Sequence, residues 1–347
     1  MNSPKVSIII LNWNRLKDTL ECIESVFKHD YPNYEIIVVD NGSTDNSVDI
    51  IRKIYPQVIL IENKDNLGYT GGNNIAMSYA IQNGTNYIWL LNNDTVVETD
   101  TLGNLVDIGE GSPEIGIISP VIYYYDKPHK IQFCGSYADW TNHKIIYPNE
   151  NTIYVDDDFK YGENVCLWGT ALLIKIDVVR KVGYLNNKFY AYWEDTEYSI
   201  RSIKAGFRNE LALNAKIYHK TPIKRKPYYY YFMARNEYFT WFQYLNSTEK
   251  VSFMRKYLAR KIAEYGSLKE SGCDEYANAC LDGTWAAFHG VGGAWNESVR
   301  FPLIIKRGFS WHPYLWVNLF KGDLLNIIFE ISKRVRAKFV RGHLNNK

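Results

Sequence analysis

Along the N-terminal quarter of the chain, short apolar blocks alternate with stretches whose apolar residues recur at helical spacing. Residues 6–11 (VSIIIL), 35–40 (EIIVVD), 58–61 (VILI) and 87–91 (YIWLL) are apolar and rich in β-branched side chains. That is the signature of strands buried on both faces. Between the first two, Leu20, Ile23, Val26 and Phe27 share one helical face, and Tyr31-Pro32-Asn33 ends that helix. Val48, Ile51 and Ile54 align within a second helix over 45–55. A third carries Ile75, Ala76, Tyr79 and Ala80 after the glycine-rich stretch NLGYTGGNN. The order β-α-β-α-β-α-β predicts an α/β fold, a mostly parallel sheet flanked by helices. Right-handed crossovers bring the carboxyl ends of such strands to one edge, where ligands bind. Asp40 closes the second strand and Asp94 follows the fourth, so both carboxylates are expected at that rim. The run YIWLLNNDT can end in two amides and an acid because it emerges there; an unpartnered carboxylate in the core would be costly.

Beyond about residue 115 the pattern loosens. GIISPVIYYY and KIQFCGSY read as strands, VCLWGTALLIK as an apolar strand or short buried segment, and EDTEYSIRSIKAG as a helix stopped at Gly206. From about residue 228 a mostly helical region is expected. The expected organisation is an α/β domain over 1–225 followed by a helical region over 226–347.

Composition narrows the class. Apolar residues make up 46% and charged residues 22%, as in soluble globular proteins. The 28 Tyr and 10 Trp suit a sugar-binding surface or a membrane interface. Five scattered cysteines without a C-x-x-C pair argue against a disulfide framework or structural zinc, and for a reducing, cytoplasmic setting. The N-terminus reads as a strand rather than a signal sequence, and no apolar stretch approaches transmembrane length. The net charge of +2 hides an asymmetry: Lys+Arg against Asp+Glu is 7 to 15 over 1–110, 13 to 13 over 111–220, and 20 to 10 over 221–347. An acidic front and a basic back suggest surfaces with different partners.

Four segments carry candidate chemistry. No G-x-G-x-x-G follows the first strand and no P-loop occurs, which disfavours a dinucleotide dehydrogenase or P-loop kinase. Instead LNWNR and VVDNGSTD place amides and an acid at strand ends. Asp40 can accept a base N–H and Trp13 offers an aromatic face; equally, Asp40 and Ser43 can serve turns and helix caps. In NLGYTGGNN, glycines permit close backbone approach and a helix N-terminus can meet phosphate or sugar. Asp94, after Asn92 and Asn93, suits a hard cation such as Mg2+ or Mn2+ whose shell phosphates and water complete; the alternative is turn chemistry. In YAYWEDTEYSIR, mutual repulsion and desolvation of Glu194, Asp195 and Glu197 would raise carboxylate pKa values, as a general base needs, and Asp195 can also cap the helix. His219 is a lone histidine after a strand, either a ligand or a structural residue.

Taken together, VSIIILNWNR, VVDNGSTDNS, NLGYTGGNN, LLNNDT, WGTALLIK and FYAYWEDTEYSIR resemble, in order, the family 2 glycosyltransferases of the GT-A fold, and within them the rhamnosyltransferase-like branch. The resemblance implies a Rossmann-like nucleotide-sugar-binding and catalytic domain over 1–225. It implies that Asp94 stands at the D-x-D position as metal ligand, with Asn93 beside it and His219 completing the shell. It implies that Asn12, Trp13, Asp40, Asn66, Gly68 and Asn74 line the nucleotide-sugar site. Trp168, Gly169, Thr170 and Trp193 would line the sugar and acceptor pocket. Asp195 would deprotonate the acceptor hydroxyl, with Glu194 as second choice. The implied activity is inverting, cation-assisted transfer from a dTDP- or UDP-sugar (rhamnose, galactose or similar) to a glycan or lipid-linked acceptor, in cell-surface polysaccharide synthesis. A nucleotidyltransferase, or a non-catalytic carbohydrate-binding protein of the same fold, is the alternative.

From Asp323 onward, Leu324, Ile328, Ile331, Val335 and Phe339 follow the helical period, with Lys333, Arg334, Arg336, Lys338 and Arg341 crowding the end. Two readings stand: a peripheral contact with an anionic membrane surface on the cytoplasmic face, or an ordinary helix with a solvated basic face. The basic residues form no nucleic-acid-binding motif, so no nucleic-acid partner is expected.

Overall fold

A computed structural model describes residues 3–153, 165–221, 225–311 and 316–317. The chain forms two compact units, Met1–Ile223 and Lys224–Lys347. The first contains, in order, β1 (Val6–Asn12), α1 (Leu16–Val26), β2 (Tyr34–Asn41), α2 (Ser47–Ile54), β3 (Ile59–Asn63), α3 (Gly68–Gln82), β4 (Tyr87–Asn92), β5 (Thr95–Val97) and α4 (Thr101–Gly111). It continues with β6 (Ile115–Tyr124), β7 (Lys127–Phe133), β8 (Ser136–Asp139), β9 (Lys144–Ile146), β10 (Val165–Cys166), β11 (Ala171–Lys175), α5 (Ile176–Val182), α6 (Glu194–Lys204) and β12 (Arg208–His219).

Among the described residues, nine strands form the central sheet in the order β3-β2-β1-β4-β11-β6-β12-β5, with β7 paired to β6. The first four run parallel, as the buried apolar blocks require. Ile8, Ile9 and Ile10 of β1, Ile37 and Val38 of β2, and Trp89 and Leu90 of β4 have no exposed surface. Each aliphatic side chain buried this way contributes roughly 1.5–3 kcal/mol. β11 is antiparallel to its neighbours β4 and β6, so the sheet is mixed.

Register fixes the rim. Asn12 lies opposite Asp40, Leu11 opposite Asn92, and Asn41 opposite Asn63, so the strands turn polar at one level. The antiparallel pairing of β5 with β12 sets Thr95 opposite His219 and so brings the histidine to the turn that carries Asp94.

Three details depart from the sequence expectations. The glycine-rich segment does not precede α3; it forms its first turns, beginning at Gly68. KIQFCGSY divides into β7 and β8 at Cys134-Gly135, where Gly135 has a φ of 73°. Ile54, at the end of the short helix α2, is 50% exposed; α2 packs mainly on α1 and the edge strand β3. Gly206 ends α6 with a φ of 91°, the left-handed stop expected of it.

The second unit is helical: α7 (Pro227–Phe242), α8 (Ser247–Glu270), α9 (Asp274–Phe288) and α10 (Leu303–Trp311). A capping box between Asn246 and Glu249 starts α8. Gly283 lets α9 approach α7 closely, since a Cβ there would lie 2.1 Å from the Tyr231 carbonyl oxygen. Buried Asp282 accepts from Arg300 (2.8 Å), the Phe301 N–H (2.9 Å) and Lys306 (2.7 Å), fixing the segment after α9. Among the described residues no helix is long and apolar enough to cross a membrane. The basic helix expected from Asp323 lies outside the described residues.

Candidate active site

Asn12, the last residue of β1, is fully buried and spends its amide inside the chain. Its Nδ2 donates to Asp40 Oδ2 (2.8 Å) and Ser43 Oγ (3.2 Å), and its Oδ1 accepts from the Thr19 hydroxyl (2.7 Å). Asn93 Nδ2 donates to Thr19 Oγ1 at 2.9 Å. Asp40 Oδ1 takes the Ser43 N–H at 2.9 Å. One network therefore crosses the ends of β1, β2 and β4. Asp40 performs the turn chemistry read from its neighbours, and only its remaining lone pairs are left for a ligand. Trp13 is 49% exposed, an aromatic surface at the edge of this network.

Asp94 sits in the turn between β4 and β5. Arg15 reaches its Oδ2 at 3.2 Å and also grips Asp18. Asp94 Oδ1 is buried and accepts no hydrogen bond. His219 Nε2 stands 3.1 Å from that oxygen. The other ring nitrogen, Nδ1, lies 2.8 Å from Gln132 Oε1. Gln132 Nε2 donates to Thr221 Oγ1 at 2.9 Å, which turns its oxygen toward the ring. With Nδ1 protonated toward that oxygen, Nε2 can offer a lone pair beside the buried carboxylate oxygen, and such a pair fits a divalent cation. Among the described residues no three His, Cys, Asp or Glu side chains cluster as a complete cage. Two protein ligands with phosphate and water around them are the pattern of Mg2+ or Mn2+.

The glycine-rich segment is built for fit. Gly68 has a φ of 74°, and a Cβ there would lie 2.6 Å from the Tyr190 carbonyl oxygen. Asn66 Oδ1 accepts from Asn41 (3.0 Å) and from the Gly68 N–H (2.8 Å). Asn74 donates to Leu185 O and Asn187 Oδ1, both at 2.8 Å, and accepts the Leu185 N–H at 3.0 Å. Asn12, Asn66 and Asn74, expected as ligand contacts, thus use their side-chain amides to satisfy the chain's own polar groups. Gly68→Ala is expected to cost about 2 kcal/mol of stability, from the left-handed φ and the displaced Tyr190 backbone, and to lower turnover. Urea melts and steady-state kinetics check both.

The segment before α6 is strained. Tyr190, Tyr192 and Trp193 have φ values of 65°, 67° and 68°, rare for large side chains. The Thr70 N–H holds the Tyr190 carbonyl at 3.1 Å. The segment delivers Glu194 and Asp195 to the positive end of α6, while Glu197 is tied to Arg201 at 2.8 Å. Asp195 Oδ2 accepts the Gly169 N–H (2.7 Å) and Oδ1 the Thr196 N–H (2.6 Å). Glu194 is 5% exposed. Its Oε2 and the Trp193 Nε1 are buried without a partner.

Burial pushes the Glu194 carboxyl well above its usual range, and the Asp195 charge pushes the same way. Burial also raises Asp195, but the Gly169 and Thr196 N–H groups pull it back. The residue as a whole is half-buried. Burial and the neighbouring charge thus push Glu194 up further, and the two N–H bonds make Asp195 the acid of the pair better able to carry charge.

Around them, Gly169 gives its N–H to Asp195 and its carbonyl to the Tyr69 hydroxyl. Trp168 stacks on Phe133 with centroids 4.4 Å apart and meets Tyr147 edge-on. The Thr170 carbonyl takes the Asn92 N–H at 2.9 Å, tying this segment to the end of β4. β7 bridges the two halves: Gln132 reaches His219 and the adjacent Phe133 reaches Trp168. Side-chain hydrogen bonds thus join Asp40 to the Asn93-Asp94 turn, and side-chain and main-chain links together join His219 through β7 and the 168–170 segment to Asp195.

Sequence reasoning missed Thr19, Tyr69, Gln132, Phe133 and Tyr147, all of which touch residues it named. The available signal was weak: Gln132 is a single amide between Ile131 and Phe133 in an apolar strand.

Residues 7–183, half of the chain, match the family model Glycosyl transferase family 2. The chain belongs to this family. The Escherichia coli enzyme UDP-Glc:alpha-D-GlcNAc-diphosphoundecaprenol beta-1,3-glucosyltransferase WfaP is 36% identical over 191 residues, covering 54% of this chain and 68% of that protein. Glycosyltransferase GlyG of Streptococcus pneumoniae is 24% identical over 189 residues, covering 54% of this chain and 62% of GlyG. This family member spans only 30% of another pneumococcal relative, glycosyltransferase GlyA. Among solved structures, Staphylococcus aureus TarS 1–349 with UDP-GlcNAc superimposes with a TM-score of 0.56 at 15% identity, over 93% of this chain and 89% of that one. The mannosyltransferase PcManGT of Pyrobaculum calidifontis, with GDP-Man and Mn2+, gives 0.53 at 16% identity, over 96% and 88%. The fold is the GT-A fold of these glycosyltransferases.

Proposed function

We propose that this chain transfers a sugar from a nucleoside diphosphate sugar to a hydroxyl of a glycan or lipid-linked acceptor, inverting the anomeric carbon. The observation that carries the reading is the continuous path of contacts linking a cation-fitting pair, Asp94 and His219, to a charged acid beside a neutral one, Asp195 and Glu194. A uridine diphosphate donor is favoured over dTDP, because WfaP and TarS are described with UDP-sugars. The WfaP acceptor, a diphosphoundecaprenol-linked sugar, favours a lipid-linked acceptor here.

A divalent cation held by Asp94 and His219 supplies charge neutralisation for the departing diphosphate. Asn12, Thr19 and Asn93 keep the rim that carries Asp40 and Asp94 in register. Trp13 and Asp40 face the base. Trp168 and Trp193 border the sugar and acceptor, and the buried Trp193 N–H and protonated Glu194 offer hydrogen bonds to hydroxyls. Asp195 takes the proton of the acceptor hydroxyl as that oxygen attacks the anomeric carbon.

Rates should fall as pH drops through the raised Asp195 pKa, because the protonated acid accepts no proton. Stability runs the other way. Both acids bind protons more tightly folded than unfolded, so their contribution is present below the ordinary carboxylate range and is lost as pH rises through the raised values. Glu194→Gln imitates the protonated acid. It is expected to hold or raise the melting temperature at neutral pH and to keep kcat within about tenfold. A larger loss of kcat would make Glu194 the base.

The functional test is product analysis with UDP-sugars and a GlcNAc-diphospholipid in the presence of Mn2+. Release of UDP with acceptor elongation is expected. Pyrophosphate release would mark a nucleotidyltransferase, and no product with any donor would mark a binding protein. The +10 balance over 221–347 supports a peripheral contact with anionic lipid on the cytoplasmic side. Co-sedimentation with phosphatidylglycerol vesicles, abolished by deleting 323–347, is the expected result.

A further inference from the structure

Resting on the cation reading above, we propose that Gln132 is a positioning residue that locks His219 in the tautomer protonated at Nδ1, so that the Nε2 lone pair and Asp94 Oδ1 face one cation together.

The relay can be followed atom by atom. Thr221 Oγ1 accepts the Gln132 amide N–H at 2.9 Å. Its oxygen then stands 2.8 Å from His219 Nδ1. A cation at Nε2 needs the lone pair of that nitrogen, which puts the ring proton at Nδ1, where the Gln132 carbonyl oxygen can accept it. Nε2 then lies unprotonated 3.1 Å from a carboxylate oxygen that is itself buried and without a donor. Two acceptors this close repel in the absence of a positive charge between them. Gln132 is only 6% exposed, so water does not readily replace it. With the proton at Nε2 instead, that nitrogen has no lone pair to give a cation. The strand explains why an amide stands here: Phe133 turns to Trp168 on one side of β7, and Gln132 faces β12 on the other.

The alternative is that Gln132 only fills a polar gap beneath the β6–β7 hairpin. The two readings separate on metal affinity rather than turnover. Mn2+ binding to the full chain, read as loss of the free-ion EPR signal, is compared for wild type, Gln132→Met, Gln132→Glu, Asp94→Ala and His219→Ala. Gln132→Met should weaken Mn2+ binding by about 10–100-fold with the melting profile retained, as loss of an outer partner does at other histidine metal sites. Gln132→Glu, which still accepts the Nδ1 proton, should bind within about threefold of wild type, well inside that range. Wild-type affinity in Gln132→Met, or failure of Gln132→Glu to bind, overturns the inference. Unchanged binding in both Asp94→Ala and His219→Ala would instead remove the cation reading itself, and this inference with it. If Gln132→Met fails to fold, the wild type decides. Long-range 1H–15N spectra of metal-free, 15N-histidine-labelled protein at pH 8, with His219 identified by its loss in His219→Ala, should show a protonated Nδ1 and a bare Nε2. A protonated Nε2 overturns the inference.

Discussion

Asp195→Asn is expected to lower kcat by about 10^2–10^4-fold, the contribution of a positioned general base. The asparagine oxygen can still accept the Gly169 N–H that Asp195 accepts at 2.7 Å, while the bond to the Thr196 N–H is lost, a cost that the melting curves read separately. What disappears is the capacity to take a proton. Donor binding should change little, because no nucleotide contact is assigned to this side chain. The comparison with Glu194→Gln gives the test its force: two neighbouring acids, one expected to be nearly silent and one nearly indispensable. Melting curves, donor affinity by calorimetry and acceptor-dependent UDP release together check it. Near-normal turnover in Asp195→Asn would transfer the role elsewhere.

Asp94→Ala should be of similar size and different in kind. It removes the buried Oδ1 beside His219 and the partner that Arg15 meets at 3.2 Å. Transition-state charge on a departing diphosphate is worth several kcal/mol when neutralised, so a loss of about 10^2–10^4-fold in kcat is expected. The diagnostic feature is that the residual rate should no longer respond to Mn2+ or EDTA, whereas EDTA should abolish wild-type turnover. Arg15 adds a second consequence. Its guanidinium already holds one Asp94 oxygen, so Arg15→Ala should not reproduce the Asp94→Ala defect in cation response. Full activity of Asp94→Ala in EDTA would refute the cation role.

Much of the first unit was legible because β1, β2 and β4 are buried on both faces; β3, at the sheet edge, is only partly buried, against the expectation for its apolar run. A run such as VSIIIL has little use except in the middle of a parallel sheet, and apolar runs between helical stretches point to the parallel pairing of β1 to β4, though not to their order across the sheet. The rim was legible for the same reason, since apolar strands that end in Asn12, Asp40 and Asn92 must emerge at one edge. The later strands were harder. β11 runs against its neighbours, β5 has three residues, and β7 and β8 break at a glycine, so periodicity says little about their partners. Only pairing across long sequence separations brings His219 to Asp94 and Phe133 to Trp168. The amides were legible in place but not in purpose. Asn12, Asn66 and Asn74 occupy the expected segments, yet their side chains satisfy turns and neighbouring backbone. A single sequence does not separate an amide that meets a ligand from one that holds the residue that does. The relative acidity of Glu194 and Asp195 was also beyond sequence reach, because it depends on the Gly169 N–H, which reaches one of them and not the other.

In the proposed function donor binding and catalysis both turn on a cation at Asp94 and His219, and that site can be tested directly. Crystals grown with UDP and Mn2+ should give an anomalous peak at the manganese edge within about 2–2.5 Å of Asp94 Oδ1 and His219 Nε2, with diphosphate oxygens on its far side. A UDP-bound structure in which that position is empty, or in which the peak lies away from both side chains, would contradict the arrangement described here.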